Sequence, residues 1–123
     1  MTAKPFYEHG REYAFESLHP EHREEILGRF DPDEARKSIW FFRSDFPASE
    51  ARWIAEQAAD VTLDRIETII RALEAGGSMR PILVAENPEA SEEESAYWIE
   101  GAHRAYAASR LGWPYVPVLF RIA

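Results

Sequence analysis

Trp98-Ile99-Glu100-Gly101-Ala102-His103-Arg104-Ala105-Tyr106-Ala107-Ala108 is the stretch that decides the reading of this chain. Strand-favouring residues end in a glycine, and an alanine-rich run that favours helix starts within a residue of it. A helix opening directly after a strand presents unpaired backbone N–H groups and the positive end of its dipole, which together attract anions. His103 and Arg104 stand in that first turn, where a cation is unfavourable for the helix itself. Such a choice points to a bound anion, and phosphate is the anion that arginine grips with two parallel hydrogen bonds.

The flanks place this turn in a small sheet. Ahead of it, Pro81-Ile82-Leu83-Val84-Ala85 reads as an apolar strand, followed by an acidic loop over residues 86–95. Behind it, Leu111-Gly112 closes the helix and Tyr115-Val116-Pro117-Val118-Leu119-Phe120 reads as a last strand. Pro117 predicts an edge position or a bulge for that strand. The strand–helix–strand unit over residues 96–122 is expected to form a right-handed parallel crossover. Upstream, Leu63, Ile66, Ile69, Ile70 and Leu73 recur at helical spacing between a Thr62 cap and Gly76-Gly77. Residues 48–59 carry a second apolar helical stripe, Ala51, Ile54, Ala55 and Ala58. Ile39-Trp40-Phe41-Phe42 reads as a buried strand, and its aromatic residues as core. The first thirty-odd residues read as polar helices with proline starts: Pro20 opens one that Gly28 stops, and Asp31 caps another at Pro32, with Glu34 three residues on.

The fold class expected is α/β (α+β), a small mixed sheet with flanking helices. A single domain of 123 residues would comprise a helical extension over 1–60, with a first strand at 39–42, and a core over 61–122. At 46% hydrophobic and 13% aromatic, the chain has the material for a core. No apolar run approaches the ~20 residues that span a bilayer, and Met1-Thr2-Ala3-Lys4-Pro5-Phe6 is not the apolar stretch of a secretory signal. A cytoplasmic protein is the expectation. The absence of cysteine excludes disulfides, thiolate metal sites and cysteine nucleophiles. A net charge of −8 argues against DNA and membrane surfaces as partners.

The order of pieces over about residues 61–122 resembles the ParB/sulfiredoxin superfamily. The pieces are Gly77-Ser78-Met79-Arg80-Pro81-Ile82-Leu83-Val84, Gly101-Ala102-His103-Arg104 before an alanine-rich helix, Leu111-Gly112, and Val116-Pro117-Val118. The family includes CTP-hydrolysing partition proteins, ATP-dependent sulfiredoxin and a free-serine kinase, in which the Gly-x-[His/Arg]-Arg turn holds phosphates. The resemblance implies a nucleoside triphosphate or diphosphate with Mg²⁺ as ligand. It places Gly101 and Ala102 where backbone approaches the phosphates, and His103 and Arg104 on the phosphate oxygens. Glu100 beside the turn would take a proton from an acceptor hydroxyl or help hold Mg²⁺. Three departures narrow the reading. Sulfiredoxin needs a cysteine where Ala102 stands, which excludes its chemistry. Partition proteins follow this domain with a helix-turn-helix reader, which this chain lacks before Ala123. The hydroxyl that the preceding helix offers to phosphate is replaced by Ala72, leaving Thr68, one turn earlier, as its substitute.

The candidates also have plainer readings: His103 and Arg104 bind phosphate, or merely cap the turn or pair with the acidic loop. Arg80, just before the Pro81-Ile82 strand, reaches a phosphate or is a solvated loop arginine. Glu100 is a catalytic acid or an exposed strand end. His19, His22 and Glu25 are spaced along one helix like metal ligands, but lack a further convincing ligand and read as surface residues. Trp113-Pro114-Tyr115 lines a base pocket or simply packs, the latter being the better reading. Two functions from different classes remain. One is nucleotide binding, with phosphoryl transfer or nucleotide hydrolysis left open. The other is a non-catalytic module that contacts a protein partner through its N-terminal helices or its acidic loop.

Overall fold

A computed structural model describes residues 7–58, 61–86 and 97–122. All but the first residue of the acidic loop therefore lie outside the described residues, as does the N-terminal hexapeptide. The class is α+β: among the described residues, five strands form one mixed sheet with helices on both faces. In chain order the strands are β1 (Arg11–Ala14), β2 (Ile39–Pro47), β3 (Ile82–Glu86), β4 (Tyr97–Glu100) and β5 (Tyr115–Arg121). The helices are α1 (Pro20–Arg29), α2 (Pro32–Arg36), α3 (Ala48–Ala58), α4 (Leu63–Glu74) and α5 (Ala102–Arg110). None is long and apolar enough to cross a membrane.

The sheet order is β1-β2-β5-β3-β4, in which only the β3–β5 pair is parallel. This corrects the expected crossover. β4 and β5 are separated by β3 and run in opposite directions, so the helix between them joins antiparallel strands. Burial capacity explains the order. β3 and β5 are apolar towards both faces, with Ile82, Leu83, Val116, Val118 and Leu119 fully buried, and such strands take the centre of a sheet covered on both sides. β4 buries only Ile99 and takes the edge.

Pro117 therefore sits in an interior strand, and the bulge is on its neighbour. Arg43 pairs with Val118 and Phe46 with Val116, so β2 uses three residue steps where β5 uses two. A proline without an N–H faces the extra residue, and Ser44 N–H donates instead to His9 Nδ1 at 3.0 Å. The extra residue reverses the parity of β2. Trp40 and Phe42 pack beneath α1 and α2, whereas Phe46 packs on the opposite face with Ala51, Ile54 and Ala105 of α3 and α5.

Residues 7–58 contribute more than helices. β1 pairs with β2 at the sheet edge, an exposed, polar strand whose Arg-Glu-Tyr-Ala sequence carries no apolar alternation. The proline-started helices form as expected, with Asp31 Oδ2 accepting from Glu34 N–H at 3.1 Å. Their inner faces bring Ile26, Phe30 and Ala35 onto Trp40, Leu83 and Leu119. Thr62 occupies the position before α4, but its side chain makes no capping bond.

Candidate functional site

β4 stops at Glu100 because Gly101 turns the chain with φ +104°, a left-handed conformation that glycine adopts without a β-carbon clash. α5 starts at the next residue with no side-chain cap. Its first intrahelical bond of this kind is Ala105 N–H to Gly101 C=O, which leaves the N–H groups of Ala102, His103 and Arg104 available at the helix opening. A β-carbon at Gly101 would also press into the guanidinium of Arg104, which folds back over the turn. Gly101→Ala is accordingly expected to cost about 1–2 kcal/mol from backbone strain alone, read as a shift of the urea midpoint with an unchanged slope.

Arg104 is 8% exposed and does not stand free. Its Nη2 donates to Glu25 Oε2 at 2.9 Å and to the Glu100 carbonyl at 3.3 Å, and its Nη1 lies 3.5 Å from Glu25 Oε1. Arg80 Nη1 reaches the same carboxylate, 3.2 Å from Oε1. Glu25 of α1, whose side chain is 16% exposed, thus bridges two arginines from different parts of the chain. Arg80, exposed as a loop arginine is expected to be, is nonetheless ion-paired, and Arg104 pairs with Glu25 of α1.

His103 is likewise engaged. Its Nε2 accepts the Thr62 N–H at 3.1 Å, so it supplies from α5 the cap that Thr62 does not make for itself. An accepting ring nitrogen requires neutral imidazole. Desolvation, helped by the nearby Arg65 and opposed by Glu100, lowers the His103 pKa below the usual histidine value.

These groups border a cavity of about 430 Å³ between α1, the inner side of α4, the 77–80 loop and the opening of α5. Glu100, Gly101, Ala102, His103, Arg104 and Arg80 all line it, so the structure gathers six of the seven sequence candidates in one place. Thr68 is the exception. Its hydroxyl turns back to the Asp64 carbonyl at 2.8 Å, and α4 presents Arg65, Ile69, Ala72 and Leu73 to the cavity instead. Among the polar lining residues, Arg29, Arg65 and Ser78 were not singled out as candidates, and Glu25 figured only beside His19 and His22 as a metal-like spacing on one helix. Ser78 and Arg80 flank Met79 just after the Gly76-Gly77 helix stop, which is the signal that could have found Ser78. Nothing local marks Arg29 or Arg65, or assigns Glu25 to this pocket, because their convergence depends on packing α1 and α4 around the sheet end.

Among the described residues, the lining holds four arginines against two glutamates, a local balance of +2 in a chain of −8. Arg29 and Arg65 are exposed and make no ion pair or hydrogen bond among the described residues. The donors present fit a phosphate group: open helix N–H groups, two unpaired guanidiniums and a glycine turn. For Mg²⁺ the pocket offers Glu100, whose carboxylate forms no ion pair among the described residues, while that of Glu25 is taken up by arginines. Apolar walls come from Ile69, Leu73, Met79 and Ile99, and among the described residues no Phe, Trp or Tyr borders the cavity.

The remaining candidates lie elsewhere. His19 Nδ1 accepts from the Glu21 N–H at the start of α1. His22 is fully buried rather than on the surface, 2.6 Å from the Tyr7 hydroxyl. Trp113 packs against the α3–α5 core and Tyr115 is exposed, and neither borders the cavity. No protein-family model, curated protein or solved structure matches the chain.

Proposed function

We propose that the chain binds a phosphate-bearing small molecule, a nucleoside di- or triphosphate first among them, at the opening of α5, and that the resemblance to the ParB/sulfiredoxin superfamily reflects a shared way of holding phosphate. One observation carries this reading: four arginines converge on one pocket at an uncapped helix N-terminus in a protein whose net charge is −8. Collecting like charges around a cavity is costly unless an anion repays it. Arg29 and Arg65 approach the ligand from α1 and α4, and the N–H groups of residues 102–104 meet it end-on. The sugar and base rest against Ile69, Leu73 and Met79. Mg²⁺ bound with the nucleotide would neutralise phosphate charge, and Glu100 is the carboxylate placed to hold it or to accept a proton from an acceptor hydroxyl.

A second reading has its own support. Glu25 already pairs with both Arg80 and Arg104, as expected of a structural latch in a non-catalytic module whose N-terminal helices face a protein partner.

A thermal-shift panel separates the two. CTP, ATP, ADP, GTP and inorganic phosphate are tested with and without Mg²⁺ on wild type and on Arg65→Ala, a change at an exposed residue. Ligand at a hundred times its dissociation constant adds about 2.7 kcal/mol, a rise of several degrees for a domain of this size. The expected result is such a rise for at least one compound, lost in Arg65→Ala. A cooperative transition that none of them moves supports the interaction module.

A further inference from the structure

Arg104 is the most buried cation of the pocket, and one of its buried donors is left unsatisfied among the described residues. Its guanidinium carries three kinds of donor, of which two face Glu25 and the Glu100 carbonyl. The third, Nε–H, is buried and has no hydrogen-bond partner among the described residues. A buried donor without a partner is costly, and more so on a charged group. The bond from Nη1 to Glu25 is at the limit of hydrogen-bond length, 3.5 Å, so the pairing falls short of a full two-pronged grip. Glu25 is shared besides with Arg80, which comes from the loop before β3. One carboxylate on α1 therefore stands between two guanidiniums at the opening of α5, where an anionic ligand would be held.

We propose that Glu25 is an internal stand-in for the ligand's phosphate, and that binding is an exchange in which phosphate takes Arg104 and Arg80 over from it. This rests on the phosphate-binding reading above and adds a specificity-determining residue to it. In the state described here the carboxylate parks the arginines and limits their mutual repulsion. A phosphate offers more acceptor oxygens than a carboxylate, enough for Nη and Nε of Arg104 together with the helix N–H groups. Arg104 then unfolds from over Gly101 and its orphaned Nε–H gains an acceptor. Because the ligand must outcompete Glu25, weakly charged anions are rejected and multiply charged phosphates favoured. Exchange also loosens the bond between α1 and the α5 turn, so ligand binding is coupled to the N-terminal layer.

The test uses pyrophosphate and inorganic phosphate as probes, by calorimetric titration of wild type and Glu25→Gln. Glutamine keeps the size and one acceptor oxygen but not the charge. The exchange predicts at least tenfold tighter pyrophosphate binding in Glu25→Gln, and a reduced preference for pyrophosphate over phosphate. Unchanged or weaker binding in a folded Glu25→Gln protein, with wild type binding normally, overturns the exchange and leaves the phosphate site intact. Absence of binding in both proteins overturns the phosphate site itself, and the exchange with it. Should Glu25→Gln not fold, the arginine Nε–H resonances of the wild type decide the matter. Pyrophosphate must move the Arg104 Nε–H signal towards a hydrogen-bonded position and slow its exchange with water. Saturation that moves only Arg29 and Arg65 signals overturns the proposal.

Discussion

Trp40→Ala is expected to lower the free energy of unfolding by about 4 kcal/mol, the middle of the range for emptying a large aromatic site in a packed core. Trp40 is fully buried at the centre of the α1–α2 face, with its ring edge-on to Phe30 at 5.9 Å between centroids. Its indole N–H donates to Ser38 Oγ at 2.7 Å, which donates in turn to the Ala35 carbonyl, so the ring ties β2 to the end of α2. Trp40→Phe keeps most of the apolar volume and gives up that tie, and should cost about 1–2 kcal/mol. Urea unfolding followed by circular dichroism measures both. A loss below 1 kcal/mol for Trp40→Ala would mean that the N-terminal helices are not docked on the sheet as described.

Acidification is the second large effect. His22 lies on the same face of α1 as Ile26, fully buried, and burial pushes its pKa down from 6.5 to about 4. Glu25 opposes that shift, while His19, Arg104 and Arg80 reinforce it. The Tyr7 hydroxyl accepts the His19 N–H at 2.9 Å, which leaves its own proton to be donated to His22 Nδ1 at 2.6 Å. A second proton on the imidazole has to break that bond, and burial holds Tyr7 itself neutral, its pKa raised to about 12. The sign follows from proton counting. Between pH 6.5 and about 4 the unfolded chain binds a proton at residue 22 that the folded chain refuses, so stability falls as pH falls across that window. The full loss amounts to roughly 3 kcal/mol. His22→Asn retains a polar atom near Nδ1 and cannot titrate, so its stability should decline less over the same window. Equal declines in the two proteins, in urea titrations at pH 7, 5.5 and 4, would contradict this account of the α1 core.

Much of the fold was legible in the residues. The helix from Leu63 and the strands at 82–86 and 97–100 follow from a change of apolar period and from glycine stops, which are local signals. β1 was not legible, because its Arg-Glu-Tyr-Ala sequence is held by the backbone ladder to β2 rather than by an apolar face. The pairing of β5 with β3 was missed for a different reason. Strand direction and order depend on which strands can be buried on both faces, a competition among all five that no single stretch records. Pro117 carried true information, but the bulge it requires is on β2.

The site divides along the same line. The turn at Gly101 and the residues on either side of it are contiguous, and the structure puts them together at one cavity. Their partners come from afar: Glu25 is 79 positions from Arg104, and the backbone N–H that His103 holds belongs to Thr62. Sequence spacing placed Thr68 near the phosphates by one helical turn, whereas its hydroxyl is spent on its own helix.

The claim that this pocket holds phosphate is tested most directly by calorimetric titration of pyrophosphate, at low ionic strength, into wild type and an Arg29→Ala/Arg65→Ala double variant. Both residues are exposed and unpaired among the described residues, so their loss should leave the fold intact while removing half of the pocket's arginines. The predicted result is one saturable site in wild type, weakened at least tenfold in the double variant. Saturable binding of equal strength in both proteins, or none in a wild type that melts cooperatively, would contradict it.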